Sequence, residues 1–399
     1  MFSERTNWKL AQNRFTQALE EVRAGGAEIF DLTVSNPTRA GLRYDDAAIL
    51  GALASPRALD YDPQPKGLLA AREVVAEYYG AGHGIRDLDP ERIVLTTSTS
   101  EGYSFVFRLL CNAGDELLVP KPSYPLFEFL ADLQDVRLVP YPLIYDHGWQ
   151  MDFPSLERGV TERTRGVVVV HPNNPTGSFV SAGEMDSLNA FCRERGLAVI
   201  ADEVFLDYGL DERGEPQVDA AQHAYASFAG NYEVLTFRLS GVSKIAALPQ
   251  MKVAWVVTSG PRELADAAMG RLEVIADTYL SMNAPVQWAL PALLEQRKDI
   301  QRQLMERVRG NLAELDRQLA GQKACSRLNV EGGWYAVLRV PVTRPDEELA
   351  IGLVREKAVV VHPGHFYDFP GDGYLVLSLI TAADEFKEGM RRVLAFLHS

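Results

Sequence analysis

Short apolar runs alternate with stretches of helical spacing between about residues 57 and 260. The runs cover residues 93–96, 116–119, 167–170, 198–201, 234–237 and 253–258. Continuous apolar runs of this length are typical of strands buried on both faces, and helices between them indicate a mainly parallel sheet. This part of the chain is therefore predicted to have an α/β fold.

The stretches between the runs repeat apolar residues at three- and four-residue intervals, as one face of a helix does. Clear examples are residues 68–79, 101–110 and 182–195. After residue 260 come long helical stretches, 262–279 and 285–320, and then apolar runs at 332–340, 358–361 and 374–379. We therefore predict an α/β large domain, residues 45–275, with a mainly parallel, mixed sheet flanked by helices. Residues 1–44 and 276–399 are predicted to form a smaller α+β domain.

Composition and charge narrow the functional classes. The 399 residues are 47% hydrophobic and 24% charged, as in ordinary globular proteins. The net charge of -14 is spread along the chain and argues against nucleic acid or an anionic membrane as a partner. The N-terminus lacks a signal-like apolar core and no run is long enough to span a membrane, so a cytoplasmic location is expected. Three distant cysteines predict neither a disulfide framework nor a metal site.

Polar residues follow the predicted strands, at the edge where open parallel sheets bind ligands. The run 167–170 leads into a turn, residues 171–177, whose prolines and asparagines cannot continue a strand and hold an amide side chain rigidly. The run 198–201 leads to Asp202, a carboxylate whose burial is costly without a cationic partner. Alone, such an aspartate more often closes an ion pair or caps a helix than takes part in catalysis.

Lys244 lies among small and apolar residues, and a second cation, Lys252, follows eight positions later. A lysine in apolar surroundings loses solvation, so its neutral amine is favoured and becomes a nucleophile for Schiff-base chemistry. Residues 97–101 join a predicted strand to a helix and offer hydroxyl and N–H groups that suit a phosphate. Taken singly, a lysine that reaches solvent and a simple Ser/Thr helix cap are the more ordinary explanations.

In this order, the segments resemble the aspartate aminotransferase family, which comprises class I/II enzymes of fold type I that use pyridoxal 5'-phosphate (PLP). The resemblance covers nearly the whole chain and includes residues 34–37, 61–67, 331–335 and 362–366. Each motif is short, but their order is specific. The resemblance implies a homodimer that exchanges an amino group between an amino acid or amine and a 2-oxo acid.

The resemblance also implies roles for individual residues. Lys244 would hold PLP as a Schiff base and move a proton, and Asp202 would keep the pyridine nitrogen protonated; these are the catalytic residues. Asn174 would donate to the phenolic oxygen of the cofactor, and Tyr124 would stack on its ring. The other cofactor-binding positions would be Ser98, Thr99, Ser100, Ser240, Ser243 and Lys252, with Tyr61 reaching the neighbouring subunit's site. The substrate contacts would be Ser35, Asn36, Arg39 and Asn174.

Three positions depart from the family pattern. Phe205 stands where the family often has a tyrosine that donates to the phenolic oxygen, and Lys252 stands where most members have a phosphate-binding arginine. Val376 stands where the family has the arginine that binds the substrate α-carboxylate. Another cation or another substrate orientation is therefore implied. Arg39 is the nearest cation in sequence to the 35–37 turn, although a solvated surface arginine explains it equally well.

Two other functions stay open. The same cofactor chemistry supports a C–S lyase that eliminates from a cysteine-like substrate, and it would release pyruvate and ammonia without a 2-oxo acid acceptor. A non-catalytic PLP-binding protein is the third interpretation. The presence of Asn174, Asp202 and Lys244 together favours catalysis.

Overall fold

A computed structural model of the chain describes residues 1–8, 11–210, 226–280 and 282–398. The strands are β1 Phe30–Asp31, β2 Ile93–Thr96, β3 Glu116–Lys121, β4 Arg137–Tyr145, β5 Trp149–Met151, β6 Thr164–Val170, β7 Ala198–Asp202, β8 Thr236–Gly241, β9 Ala254–Ser259, β10 Ser326–Arg327, β11 Tyr335–Arg339, β12 Val359–Val360, β13 His362–Pro363 and β14 Tyr374–Ser378. The helices are α1 Arg14–Ala24, α2 Asp46–Leu53, α3 Leu69–His83, α4 Thr99–Leu110, α5 Leu126–Leu133, α6 Phe153–Gly159, α7 Ala182–Arg195, α8 Val242–Ile245, α9 Arg262–Tyr279, α10 Ala284–Glu295, α11 Arg297–Leu319, α12 Asp346–Lys357 and α13 Ala383–Leu397.

The large sheet has eight strands in the order β2-β9-β8-β7-β6-β3-β4-β5. The central pairs from β8 to β4 are parallel, and the outer pairs are antiparallel. In β6, Val168 and Val170 pack into one apolar cluster, whereas Val167 and Val169 pack into another. Because successive side chains of a strand point to opposite faces, the sheet is buried on both sides, as its continuous apolar runs predict.

A smaller antiparallel sheet, of order β10-β11-β14-β13, lies in the C-terminal part of the chain, and β1 pairs with β12 in a two-stranded sheet. The N-terminal segment joins this region, because β1 and α1 pack against α13 and α12. The predicted fold class is therefore confirmed. The domain boundaries at 45 and 276 stay a prediction, and α10 packs with α2 and α3 beside the large sheet. Within the described ranges, no helix combines the length and hydropathy needed to cross a bilayer.

The differences from the sequence predictions have physical reasons. The observed strand, Thr236–Gly241, begins two residues after the start of the predicted run 234–237 and extends four residues beyond its end. The strand continues past the apolar run because the hydroxyl of the buried Ser240 donates to the Glu203 carbonyl, so this polar side chain fits inside the sheet. The stretch 285–320 forms two helices that meet at Gln296. Strands β4 and β5 were not predicted: they form one edge of the sheet, and β4 is partly exposed and contains two prolines, which hide the apolar pattern.

Candidate active site

The catalytic residues implied by the sequence meet at the carboxyl ends of β6, β7 and β8. Asp202 ends β7, and the N–H of His171, which follows β6, donates to its backbone carbonyl at 2.7 Å. Lys244 lies in the short helix α8, directly after β8. A Cβ on Gly241, at this junction, would lie 2.7 Å from the Val253 carbonyl oxygen. Only glycine therefore allows β8 and β9 to approach closely enough at the point where the chain turns to present Lys244.

Lys244 is half-buried against an aromatic wall. Its Nζ lies 4.8 Å from the ring centre of Trp334 and 5.4 Å from that of Phe205. The hydroxyl of Tyr208 donates to the Lys244 carbonyl at 2.6 Å and fixes the backbone below the side chain. Burial lowers the pKa of Lys244 to about 8, and the carboxylate of Asp202 acts in the opposite direction. A substantial fraction of the amine is thus neutral near physiological pH, as a nucleophile requires.

The carboxyl group of Asp202 has two fixed donors. Its Oδ1 accepts the Val204 N–H at 3.1 Å, and its Oδ2 accepts the Tyr103 hydroxyl at 3.0 Å. Burial raises the pKa of Asp202 to about 6, against the effect of both hydrogen bonds and of the Lys244 charge. Between about pH 6 and pH 8 the predominant form of the site therefore has a carboxylate at Asp202 and an ammonium at Lys244, beside a minor fraction with the neutral amine. Each oxygen of the carboxylate can accept a further hydrogen bond from a ligand.

The turn after β6 presents a buried amide. The side-chain oxygen of Asn174 has no hydrogen-bond partner among the described residues. A buried polar atom without a partner is costly, so it fits a site that a ligand completes. Gly177 has a φ of +70°, and a Cβ there would lie 2.5 Å from the Gly332 carbonyl oxygen. The turn is fixed from the other side by Glu331, whose carboxylate accepts the Phe179 N–H at 2.9 Å.

The start of α4 forms the end of the site that suits an anion. Ser98 caps the helix by accepting the Glu101 N–H at 3.1 Å, and the Glu101 carboxylate accepts the Thr97 N–H at 2.7 Å. The N–H groups of Thr99 and Ser100 form no hydrogen bond within the part of the chain that the structure describes. Free N–H groups and the helix dipole favour a phosphate at this position.

The serines next to Lys244 differ in their availability. Ser240 is buried and its hydroxyl donates to the Glu203 carbonyl at 3.3 Å, so its side chain is already used within the sheet. Ser243 is half-buried in the first turn of α8. Lys252 is exposed, with a φ of 55°, and has no ion pair within the described ranges. Of these three residues, Ser243 and Lys252 remain available to a bound anion.

The aromatic residues implied by the resemblance are both accessible. Tyr124 is 46% exposed, and its pKa is raised by burial and by the charge of Asp202, so its hydroxyl lies within the field of that carboxylate. Tyr61 is 83% exposed and lines a cavity of about 650 Å³. No hydrogen bond or ring contact joins Tyr61 to Lys244 or Asp202 of the same chain, among the residues described.

The expected substrate residues of the N-terminal segment are exposed. Asn36 accepts the N–H and hydroxyl of Thr38 at 3.1 and 2.8 Å, so its side-chain oxygen caps a local turn. Ser35 and Arg39 flank this turn and are also exposed. None of these three forms a hydrogen bond with Lys244 in the described structure. The substrate role of Arg39 therefore stays a prediction.

Val376 is 1% exposed and packs in the apolar core of the smaller sheet. Its neighbours across the sheet are Val337 and His362. His362 is half-buried, its Nδ1 lies 3.0 Å from the Tyr367 hydroxyl, and burial lowers its pKa. Val376 and its two neighbours in the sheet therefore provide no permanent positive charge for a substrate carboxylate.

A buried ion pair next to Asp202 was not predicted. Arg238 in β8 donates through Nε to the carboxylate of Glu203 at 2.5 Å, and both side chains are fully buried. Glu203 also accepts the Phe228 N–H at 2.6 Å. Burial raises the pKa of Glu203 and lowers that of Arg238. The signal in the sequence is an arginine at position 238, between the apolar run 234–237 and Leu239.

Comparison with known proteins gives consistent results. The family model for aminotransferase class I and II matches residues 27–385. The chain is 26% identical to the glutamate-pyruvate aminotransferase AlaA of Escherichia coli (strain K12) over 383 residues, 93% of this chain and 91% of that protein. It is 28% identical over 393 residues to the alanine aminotransferase of Mycobacterium bovis, 96% of this chain and 89% of that protein. An alanine aminotransferase from Pyrococcus furiosus has the same fold, with a TM-score of 0.88 at 22% identity over 100% of both chains.

Proposed function

Since the chain belongs to the class I and II aminotransferases, we propose that it binds PLP at the carboxyl edge of the large sheet and exchanges amino groups there, with Lys244 and Asp202 as catalytic residues. The observation that carries this assignment is the pair itself: a nucleophilic amine and a carboxylate at the ends of adjacent strands, close enough for each to shift the other's pKa. Two of the curated relatives are named for glutamate, pyruvate or alanine. Glutamate with pyruvate is therefore the first substrate pair to test.

The site residues fit the cofactor group by group. The side-chain NH2 group of Asn174 would donate to the phenolic oxygen, and the free N–H groups of Thr99 and Ser100 would bind the phosphate. Lys252 would add positive charge beside that phosphate without the two parallel hydrogen bonds of an arginine. Tyr124 would cover one face of the ring.

The chain's own groups then divide the chemistry. When bound, PLP supplies an electron-poor ring that accepts the electron pair left on the substrate α-carbon. Nζ of Lys244 would hold the cofactor before the substrate binds. Once the substrate amine has taken its place, Nζ would carry the proton from that α-carbon to the C4' position of the cofactor. Oδ1 or Oδ2 of Asp202 would keep the ring nitrogen protonated. Trp334 and Phe205 exclude water from one side of Nζ, which keeps its neutral form accessible.

A homodimer is part of the proposal. Tyr61 and its neighbour Leu59 are more than four-fifths exposed, and both line the 650 Å³ cavity together with the exposed Leu280. Apolar side chains grouped in this way fit burial against a second copy of the chain. Tyr61 would then reach the phosphate of the neighbouring site. Light scattering of the purified protein should give twice the mass of one chain, and Tyr61→Phe should weaken PLP binding without dissociating the dimer.

The central test is direct. The protein incubated with PLP, reduced with borohydride and digested should carry the label on the Lys244 peptide, and Lys244→Ala should carry none. Glutamate should then convert the bound cofactor to its pyridoxamine form, and pyruvate should restore it. A label on another lysine, or no label, would refute the assignment.

A panel of amino acids and amines, each mixed with the PLP-bound protein, tests which substrates the site accepts. Amines that lack an α-carboxylate belong in it, since conversion by them would show that Val376 marks a site without a carboxylate clamp. Release of pyruvate and ammonia from cysteine, without an acceptor, would replace transamination by the C–S lyase reaction. A cytoplasmic location stays a prediction.

A further inference from the structure

The hydroxyl group of Tyr103 forms a hydrogen bond with one of the two proposed catalytic residues, Asp202. Tyr103 lies on α4, four residues after Thr99 and therefore on the same face of the helix one turn later. Its side chain is 2% exposed, and its hydroxyl donates to Oδ2 of Asp202 at 3.0 Å. The ring is held by edge-on contacts with Phe107 and Phe127, at 5.7 and 5.2 Å between ring centres.

This geometry gives Tyr103 more than a packing role. A hydrogen bond to a carboxylate is roughly twice as strong as one between neutral groups. The Val204 N–H holds Oδ1 and Tyr103 holds Oδ2, so two donors fixed by different elements determine the plane of the carboxyl group. Because both donors favour the ionised form, they also oppose the effect of burial on Asp202.

We propose that Tyr103 is a positioning residue that orients the Asp202 carboxylate toward the ring nitrogen of the cofactor. This inference rests on the proposed function. It also gives α4 a double role, since the first turn of the helix offers its N–H groups to the phosphate and the second turn fixes the acid at the other end of the cofactor. One rigid element thereby sets both ends of the binding site.

Other charges also face Asp202. The charge of Lys244 lowers the pKa of Asp202, and the charge of Asp202 in turn raises the pKa of Glu203 and that of Tyr124. Removal of the Tyr103 hydroxyl changes none of these groups. A change in the titration of the bound cofactor between wild type and Tyr103→Phe therefore reports the lost hydrogen bond.

The test compares Tyr103→Phe with Tyr141→Phe. Tyr141 is 1% exposed and its hydroxyl donates to the Val168 carbonyl at 2.8 Å, so both changes remove one buried hydroxyl from the large sheet's packing. Thermal unfolding of the apoproteins verifies that both variants fold. PLP affinity is measured by fluorescence titration, and the visible absorbance of the bound cofactor is titrated with pH.

For Tyr103→Phe we expect PLP to bind on the order of tenfold more weakly and kcat to fall by a similar factor with little change in KM. The midpoint of the absorbance titration should rise by up to about one pH unit, because a less firmly held ring-nitrogen proton withdraws less charge. Tyr141→Phe should match the wild type within about twofold in all three quantities. In an Asp202→Asn background, Tyr103→Phe should no longer weaken PLP binding.

Two results would overturn the inference while leaving the proposed function intact. One is a Tyr103→Phe variant that behaves as Tyr141→Phe does in affinity and titration. The other is an equal loss of affinity in the wild-type and Asp202→Asn backgrounds, since Tyr103 would then act independently of the carboxylate. Failure of the proposed function is seen separately, as a wild-type protein that binds no PLP at Lys244.

Discussion

The amine of Lys244 should react with small electrophiles at neutral pH far faster than an ordinary lysine. Burial lowers its pKa from 10.5 to about 8. At pH 7 roughly a tenth of the amine is then neutral, against roughly 0.03% at the ordinary value, a difference on the order of 300-fold. The apoprotein is the right form for this measurement, because the amine is free to react.

Asp202→Asn tests the physical cause. The Asp202 carboxylate is the charge that raises the pKa of Lys244 against the effect of burial. Without it the pKa should fall further, and labelling at pH 7 should increase. The increase cannot exceed about tenfold, because about a tenth of the amine is neutral already. Asp346→Asn is the matched control, since Asp346 is also a carboxylate that accepts backbone N–H groups but is not among the charges acting on Lys244.

The assay follows the rate of modification of the Lys244 peptide by a trace of trinitrobenzenesulfonate, quantified by mass spectrometry between pH 6 and pH 11. This reagent has no pyridine nitrogen, so Asp202→Asn affects only the amine. The wild-type rate should have its midpoint near pH 8, and the variant should have a lower one. A wild-type midpoint above pH 10, or slower labelling of Asp202→Asn than of wild type, would show that the aromatic wall does not control the amine.

Three further predictions concern single positions. Phe205→Tyr places a hydroxyl where the family often has one and should lower the midpoint of the cofactor's absorbance titration by about one pH unit; an unchanged midpoint would mean that the hydroxyl does not reach the phenolic oxygen. Lys252→Arg should tighten PLP binding by up to about tenfold in a fluorescence titration, and weaker binding would place Lys252 away from the phosphate. Burial lowers the pKa of His171 from 6.5 to about 3, so the folded state binds fewer protons than the unfolded state and loses stability as pH falls below 6.5. Between pH 7 and pH 5 the free energy of unfolding, measured with urea, should therefore fall by about 2 kcal/mol less in His171→Asn than in the wild type. An equal fall in both proteins would show that other groups cause the loss of stability.

The sequence predicts the centre of this fold better than its edges. The strands β6 and β7 are buried on both faces, so their apolar runs are continuous and were located directly. Helix α7 has the predicted bounds because Ser181 and Glu184 form a capping box and Gly196 ends it in a left-handed conformation. Edge strands such as β4 face solvent in part and carry prolines, so their pattern is mixed.

The site was predictable to the extent that its residues follow strands. Asp202 comes directly after an apolar run, and Lys244 lies among small and apolar residues beyond the next run. Parallel strands bring such positions together. Tyr103 could not be predicted in this way, because a tyrosine on the apolar face of a helix has the pattern of a core residue. Its partner is 99 residues away, and only the three-dimensional packing of α4 against the sheet joins the two.

The contact between Gly177 and Gly332 has a mechanical consequence. The Glu331 N–H donates to the Gly177 carbonyl at 3.2 Å, and the Gly333 N–H donates to that of Tyr208 at 2.9 Å. These bonds join the chain just before Trp334 to two loops of the large sheet. Residues 331–333 are thereby anchored to the large sheet. The indole of Trp334, which lies beside the Lys244 amine, is therefore held in place relative to the strand ends that carry Asp202 and Lys244.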